Sequence, residues 1–283
     1  MEIFKAYAKI NLSLAVTGKR DDGYHTLSSV VQSVSLADEL EITTGIGALR
    51  FSCSNKNIKT EDNLCFMAAK LFFESAGIAP DAEIVLRKNI PVTAGLGGGS
   101  TDAGTVLSAL NRLYGRPLDK DTLYKIGLKL GADVPVCMAG GTVLMEGIGE
   151  RLTRLPDLPD CHIVIAKKGE KGSTGEMYKR LDGLSLEKTA DTKSIINGLE
   201  TGDLAAVSRH LYNCFEAVYP EDEISGTKAV MYEKGALYSG LSGAGSSVFG
   251  IFNDRRSAAG AANELKCGGC EVYICEPQRH LCE

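Results

Sequence analysis

Residues 94–104 read AGLGGGSTDAG. Four glycines fall within five positions, Gly95, Gly97, Gly98 and Gly99, and lead directly into Ser100, Thr101 and Asp102. So few side chains cannot hold a core, so any contact made here is made by backbone. The next stretch is helical in pattern: Ala103, Val106, Leu107, Leu110 and Leu113 form one apolar stripe before Gly115 and Pro117. A loop entering a helix makes an anion site. The first turn leaves N–H groups without partners, and the macrodipole adds about half a positive charge there. Glycines ahead of that turn accept positive φ and let a phosphate approach the backbone closely. The plainer reading is a surface turn capped by Ser100. Four glycines between a strand and an amphipathic helix favour the phosphate.

Two common phosphate loops are absent. No Gly-Lys pair precedes Ser or Thr, so the Walker pattern fails. Counting from Gly95 and Gly97, the sixth position is Ser100, so the dinucleotide fingerprint fails as well.

The rest of the chain bounds the answer. Its 283 residues are 44% hydrophobic and 24% charged, enough for a substantial core in one large or two ordinary domains. Lys and Arg number 31 against 36 acidic residues, a net charge of −5 that disfavours a nucleic-acid partner. The opening MEIFKAYAKINLSLAV does not have the form of a signal peptide, and no apolar run is long enough to span a membrane. Nine cysteines lie scattered in apolar surroundings, which fits reduced thiols in the cytoplasm rather than a disulfide framework. The expectation is a cytoplasmic globular protein, monomer or homodimer, without nucleic-acid or membrane partners.

Periodicity places the elements. Ile10, Leu12, Leu14 and Val16 alternate with Asn11, Ser13, Ala15 and Thr17, predicting a half-buried strand. Strands are predicted at 26–36 and 39–44, split by an acidic turn near Asp38, and again at 82–87. Helices are predicted at 62–76, after the glycine loop, and at 119–130. The RLTRLPDLPD segment (151–160) interrupts the pattern and predicts a domain junction. This gives domains 1–155 and 156–283. Beyond it the pattern predicts strands at 162–166, 236–239, 247–252 and 271–275. It also predicts helices near 174–182, 191–200, 203–216, 221–234 and 255–266. Strands and helices mix in both halves, so the class is α+β.

Five ordered blocks now carry a resemblance. PVTAGLGGGSTDA (91–103) resembles the central motif of the GHMP kinases, P-x-x-x-G-L-G-S-S-A, and LSGAGSSVFGIF (241–252) resembles their third motif. AYAKINLSL (6–14), DDGYHTLSSVVQ (21–32) and LGADVPVCMAGGTVLMEGIGE (130–150) resemble blocks of one branch of that family. That branch phosphorylates an alcohol on a cytidine diphosphate-linked methylerythritol. The match is collinear over nearly the whole chain. It implies a two-domain fold, with an N-terminal mixed-sheet domain carrying the phosphate loop and a C-terminal α/β domain. It also implies ATP and Mg2+.

The resemblance assigns residues. The catalytic pair falls on Lys9 and Asp133: the carboxylate would accept the hydroxyl proton, and the ammonium would keep it ionised and steady the transferring group. Without the resemblance, Lys9 reads as a solvated lysine and Asp133 as a helix cap. The phosphate loop takes Pro91, Val92, Thr93, Ala94, Gly95, Leu96, Gly97, Gly98, Gly99, Ser100 and Thr101. Adenosine contacts fall on Asn63 and Lys88. The cytidine side falls on Asn11, Tyr24, His25, Thr174 and Tyr178, with the aromatics stacking on the base. Lys167, Lys168 and Lys171 are candidates for the substrate diphosphate, or simply solvated. Asp102 reads as structural or ligand-orienting, favoured by the helix dipole. The magnesium rides on the nucleotide phosphates, assisted by Ser100 or Thr101, and other protein ligands for it stay unassigned.

Three rival readings stay open: another GHMP kinase acting on homoserine, mevalonate or a sugar; a nucleotide-binding protein without catalysis; and a zinc or redox site. The last would be built from Cys267, Cys270, Cys275, His280 and Cys282, a spacing that matches no standard ligand set.

Overall fold

The alternation at Ile10 belongs to a longer strand, β1 (Glu2–Lys19), followed by an equally long β2 (His25–Thr44). The computed structural model describes residues 1–57, 59–169, 174–184 and 190–279. Two sequence expectations change at once. The strand around Ile10 is buried on both faces, because its polar side is hydrogen-bonded internally. Asn11 Nδ2 donates to Ser29 Oγ (2.8 Å), Ser29 Oγ donates to the Ser13 carbonyl (2.6 Å), and Val30 N–H donates to Ser13 Oγ (3.1 Å). The turn expected near Asp38 is absent. β2 runs through it, and the buried Asp38 carboxylate accepts from the amides of Asn89 (2.5 Å) and Ile90 (2.8 Å).

The chain divides into two compact units, and each is assembled from separate stretches. The first comprises Met1–Lys9, Leu36–Val92 and Gly97–Ala139. It holds β3 (Leu49–Cys53), α1 (Leu64–Ala76), β4 (Ala82–Arg87), α2 (Gly98–Leu113), α3 (Lys120–Leu130) and α4 (Val134–Ala139). The second half of β2 pairs antiparallel with β4, Ile42 opposite Ile84, and β3 lies parallel to β4. α1 and α2 pack on one another, and their apolar faces join these strands in a core of Leu40, Phe72, Phe73, Leu86, Val106 and Leu110. The predicted end of α1 holds: Gly77 takes a left-handed φ of 65° and closes the helix.

The second unit comprises Ile10–Ser35, Thr93–Leu96 and the chain from Gly140 onward. Here the first half of β2 pairs with β5 (Thr142–Gly147), and β5 pairs with β6 (Arg151–Arg154). A separate antiparallel sheet has the order β11-β7-β10-β9, built from β7 (His162–Lys167), β9 (Tyr238–Leu241), β10 (Ser247–Phe252) and β11 (Glu271–Cys275). The helices are α5 (Thr174–Leu181), α6 (Thr192–Thr201), α7 (Leu204–Arg209), α8 (Glu221–Glu233) and α9 (Arg255–Cys267), with α8 and α9 packed on that sheet. The helix expected over 203–216 stops at Arg209. The short strand β8 (Tyr212–Asn213) then lies parallel to β1, and a 3-10 turn comes next at Cys214–Ala217. Asn213 explains the break. Its Oδ1 accepts from Phe215 N–H (2.9 Å), and its Nδ2 donates to the carbonyls of Leu241 (2.7 Å) and Gly243 (2.8 Å). The short elements β3, α4, β5 and β6 are findings of the structure. β6 lies within the segment read as a junction.

The hairpin loop held by Asn213 receives part of the glycine loop. Ser242 Oγ donates to the Gly95 carbonyl (2.9 Å), and Ser247 N–H donates to the Ala94 carbonyl (3.1 Å). Gly95 has φ +76°, and a Cβ there would lie 2.1 Å from the Ser242 carbonyl oxygen. Gly95→Ala should therefore destabilise the protein by roughly 2 kcal/mol or more, through strain and backbone overlap. Urea unfolding without nucleotide checks this, and an unchanged midpoint would contradict the packing described.

Candidate active site

Gly97 is the N-cap of α2, with φ +68°. A Cβ on it would lie 2.8 Å from Lys9 Cγ and 3.0 Å from Cε, so the lysine stem lies where a side chain at 97 would project. Lys9, 4% exposed, passes over this bare backbone and places Nζ 3.2 Å from Asp133 Oδ2. Asp133 precedes α4. Its carbonyl accepts from Cys137 N–H (3.1 Å), a cap-like role for the backbone, while the carboxylate turns to the lysine. The structure thus brings together the two residues assigned as catalytic, which lie 124 positions apart in the chain.

Around them, the amides of Gly98, Gly99 and Ser100 open the helix and donate to no group among the described residues. The first intrahelical bond is Thr101 N–H to the Gly97 carbonyl (2.8 Å). Ser100 is half-buried and Gly99 exposed. Thr101 is buried, and its side chain hydrogen-bonds with Cys137, leaving Ser100 as the accessible hydroxyl. Burial, then the nearby Asp133, pushes the Cys137 thiol far above its ordinary value, so it stays protonated. Pro91 and Ala94 are buried; Val92 and Thr93 are exposed. Thr93 has φ +54°, a strained conformation for a β-branched residue, where the chain passes from one unit to the other.

The two residues assigned to adenosine hold internal positions. Asn63 caps α1, its Oδ1 accepting from Cys65 N–H (2.9 Å). Lys88 Nζ contacts Asp38 Oδ2 and lies 2.7 Å from Asp102 Oδ2. Gly98 makes room for it: a Cβ there would lie 3.2 Å from Lys88 Nζ. Asp102 sits in the second turn of α2 and is 2% exposed, and its Oδ1 has no hydrogen-bond partner. Its dipole-favoured position in the first turn is therefore not what the structure shows. Burial pushes its carboxyl up to about 8, with Asp38 adding to the rise and Lys88 opposing it.

On the second unit, Asn11 is tied to Ser29 as described, and its N–H faces Ser242 Oγ (3.4 Å). Tyr24 is exposed. The rings of His25 and Tyr178 stack at 4.7 Å and 17°, and Phe215 meets Tyr178 edge-on at 5.0 Å. His25 Nε2 lies 2.5 Å from Asp182 Oδ1, and Lys19 Nζ lies 2.5 Å from Asp182 Oδ2. Thr174 is exposed at the start of α5. Lys167 ends β7, Lys168 comes directly after it, and Lys171 lies outside the described residues. So do His280 and Cys282. Among the described residues the cysteines are free, and no group of three His, Cys, Asp or Glu could hold a metal. Sequence reasoning missed Asp38, Asp182 and Ser242. Each acts through a partner far away in the chain, which no local pattern displays.

Comparison with known proteins now decides the family. Residues 63–141 match the GHMP kinases N terminal domain, and residues 195–269 match the GHMP kinases C terminal. The chain belongs to the GHMP kinases. It is an ATP-dependent small-molecule kinase. It is 42% identical over 274 residues to the 4-diphosphocytidyl-2-C-methyl-D-erythritol kinase of Clostridium novyi, covering 96% of this chain and 98% of that one. A crystal structure of 4-(cytidine 5'-diphospho)-2C-methyl-D-erythritol kinase superposes with a TM-score of 0.84 at 31% identity, covering 98% and 99% of the two chains. Homoserine kinase from Cytophaga hutchinsonii superposes at 0.74, covering 98% and 95%, but its 19% identity shows shared fold alone. No helix among the described residues is long and apolar enough to cross a membrane.

The Asp102 cluster gives a pH prediction. An unfolded aspartate titrates near 3.8, so the raised native value makes the folded state hold a proton that the unfolded chain releases. The associated stability is fully present below pH 3.8 and is lost as pH climbs through about 8. Asp102→Asn keeps the shape and removes the titration. Its melting temperature relative to wild type should rise between about pH 5 and about pH 9. A constant difference would contradict the buried, protonated carboxyl.

Proposed function

We propose that this kinase transfers the γ-phosphoryl of ATP to the 2-hydroxyl of 4-diphosphocytidyl-2-C-methyl-D-erythritol, in non-mevalonate isoprenoid precursor biosynthesis. Full-length similarity to proteins of that name supports the acceptor. The observation that carries the chemistry is the Lys9–Asp133 pair beside the bare first turn of α2.

Phosphoryl transfer asks the protein for alignment and charge stabilisation more than for covalent chemistry. In this reading the amides of Gly97 to Ser100 bind the phosphate tail, where the helix dipole favours negative charge. Asp133 accepts the proton of the attacking hydroxyl as its oxygen bonds to the γ-phosphorus. The bond to the β–γ bridging oxygen breaks and ADP leaves. Lys9 holds the carboxylate in place and offsets charge on the transferring group. Magnesium, bound mainly through the nucleotide's phosphates with the Ser100 hydroxyl as the accessible protein donor, would neutralise part of the phosphate charge. The internal ties of Asn63 and Lys88 favour a role in shaping the loop's surroundings; any adenosine contact would use Asn63 Nδ2 or the Lys88 stem. Asn11, Tyr24, His25, Thr174 and Tyr178 are assigned to the cytidine end of the acceptor. Such an enzyme would work in the cytoplasm.

Asp133→Asn and Lys9→Met should each lower kcat by about 10²- to 10⁴-fold, with ATP affinity changed by less than about threefold. Single-turnover kinetics and nucleotide titration check this, and near-normal turnover in either variant would refute the assignment. ADP release should be fast with the cytidine-linked alcohol and near background with mevalonate or homoserine. The reverse order would refute the acceptor.

A further inference from the structure

The His25–Asp182–Lys19 chain fixes more than a ring position. A carboxylate is acceptor-only, so the 2.5 Å contact from His25 Nε2 to Asp182 Oδ1 requires the proton to sit on Nε2. In the neutral ring Nδ1 is then an acceptor. No hydrogen bond to Nδ1 is present among the described residues. Lys19 donates to the other oxygen of the same carboxylate (2.5 Å), so the pair beside the imidazole carries no net charge. Those hydrogen bonds hold the Asp182 carboxyl below the usual carboxylate range, the Lys19 bond contributing most and the His25 bond next. The plane of the ring is set independently. Tyr178 stacks on its face at 4.7 Å, and the buried Phe215 braces Tyr178 from the side. Tautomer and orientation are therefore both imposed, on a histidine whose side chain is only 12% exposed.

An imidazole held this way discriminates between pyrimidines. The 4-position of cytosine carries an amine that donates; the 4-position of uracil carries a carbonyl that accepts. A fixed Nδ1 acceptor pairs with the first and opposes the second, whereas a ring free to change tautomer could serve either. We propose that Asp182, braced by Lys19, is a positioning residue that locks His25 as an Nδ1 acceptor, so that the acceptor site takes an aminopyrimidine nucleoside diphosphate and rejects its uridine counterpart. This rests on the proposed cytidine-linked substrate. Asp182 itself touches no substrate and acts through His25.

The test pairs kinetics with spectroscopy. Wild type, Asp182→Ala and Asp182→Asn are assayed with the cytidine-linked alcohol and its uridine-linked analogue. In Asp182→Ala the KM for the cytidine compound should rise about tenfold with kcat changed less than about twofold, so the cytidine-over-uridine preference falls about tenfold. Asp182→Asn offers one acceptor oxygen to two donors, His25 Nε2–H and the Lys19 ammonium, so its preference should fall between those of wild type and Asp182→Ala. Imidazole 15N spectra of the free proteins, with His25 assigned from a His25→Asn variant, should show the Nε2–H tautomer in wild type and a mixture in Asp182→Ala. An unchanged preference or an unchanged tautomer in Asp182→Ala overturns the proposal. If wild type turns over neither compound, the substrate reading fails and the specificity claim with it, while the spectra still decide whether Asp182 sets the tautomer.

Discussion

A lysine lying across a residue that has no side chain is the contact on which the site depends. Lys9 reaches Asp133 because its stem occupies the space a Cβ at Gly97 would fill. The same glycine takes the left-handed φ that starts α2 and bares the next amides. One absent side chain therefore serves three needs: room for the cation, the turn of the backbone, and exposure of the helix N-terminus. Any residue larger than glycine would displace the lysine or distort the turn, and the ion pair and the amide cluster would be lost together.

The neighbouring glycines serve the protein too. Gly95 lets the loop lie against the carbonyl of Ser242, and Gly98 clears space for Lys88 between Asp38 and Asp102. Only Gly99 meets nothing closer than ordinary contact, 3.5 Å to Leu64 Cδ1. The glycine run therefore answers two requirements at once. It leaves peptide nitrogens available to an anion, and it fits a backbone between buried polar side chains whose positions it then stabilises. The cost is carried at Asp102, a carboxyl kept neutral by burial beside a lysine already shared with Asp38.

Much of this was legible in the chain. The glycine loop, the amphipathic α2 and the ends of α1 and α3 emerge from local pattern, because caps and apolar stripes act over a few residues. The Lys9–Asp133 pair came from resemblance; taken alone, Lys9 reads as a solvated lysine and Asp133 as a helix cap. What stayed hidden depends on partners far along the chain. Asp38 looks like a turn residue until the amides after β4 meet its carboxylate, and Asn213 looks helical until its amide finds the Leu241 and Gly243 carbonyls. Asn11 and Ser13 look solvent-facing because alternation counts polarity and cannot register that Ser29 Oγ satisfies the Asn11 amide and that Val30 N–H donates to the Ser13 hydroxyl.

The most direct test is a crystal structure of the protein with a non-hydrolysable ATP analogue and the cytidine-linked alcohol. Phosphate oxygens should lie within about 3 Å of the amide nitrogens of Gly97 to Ser100, and the acceptor hydroxyl within similar reach of Asp133. Those amides facing bulk water with the triphosphate bound elsewhere, or a hydroxyl remote from the Asp133 carboxylate, would contradict the proposed chemistry.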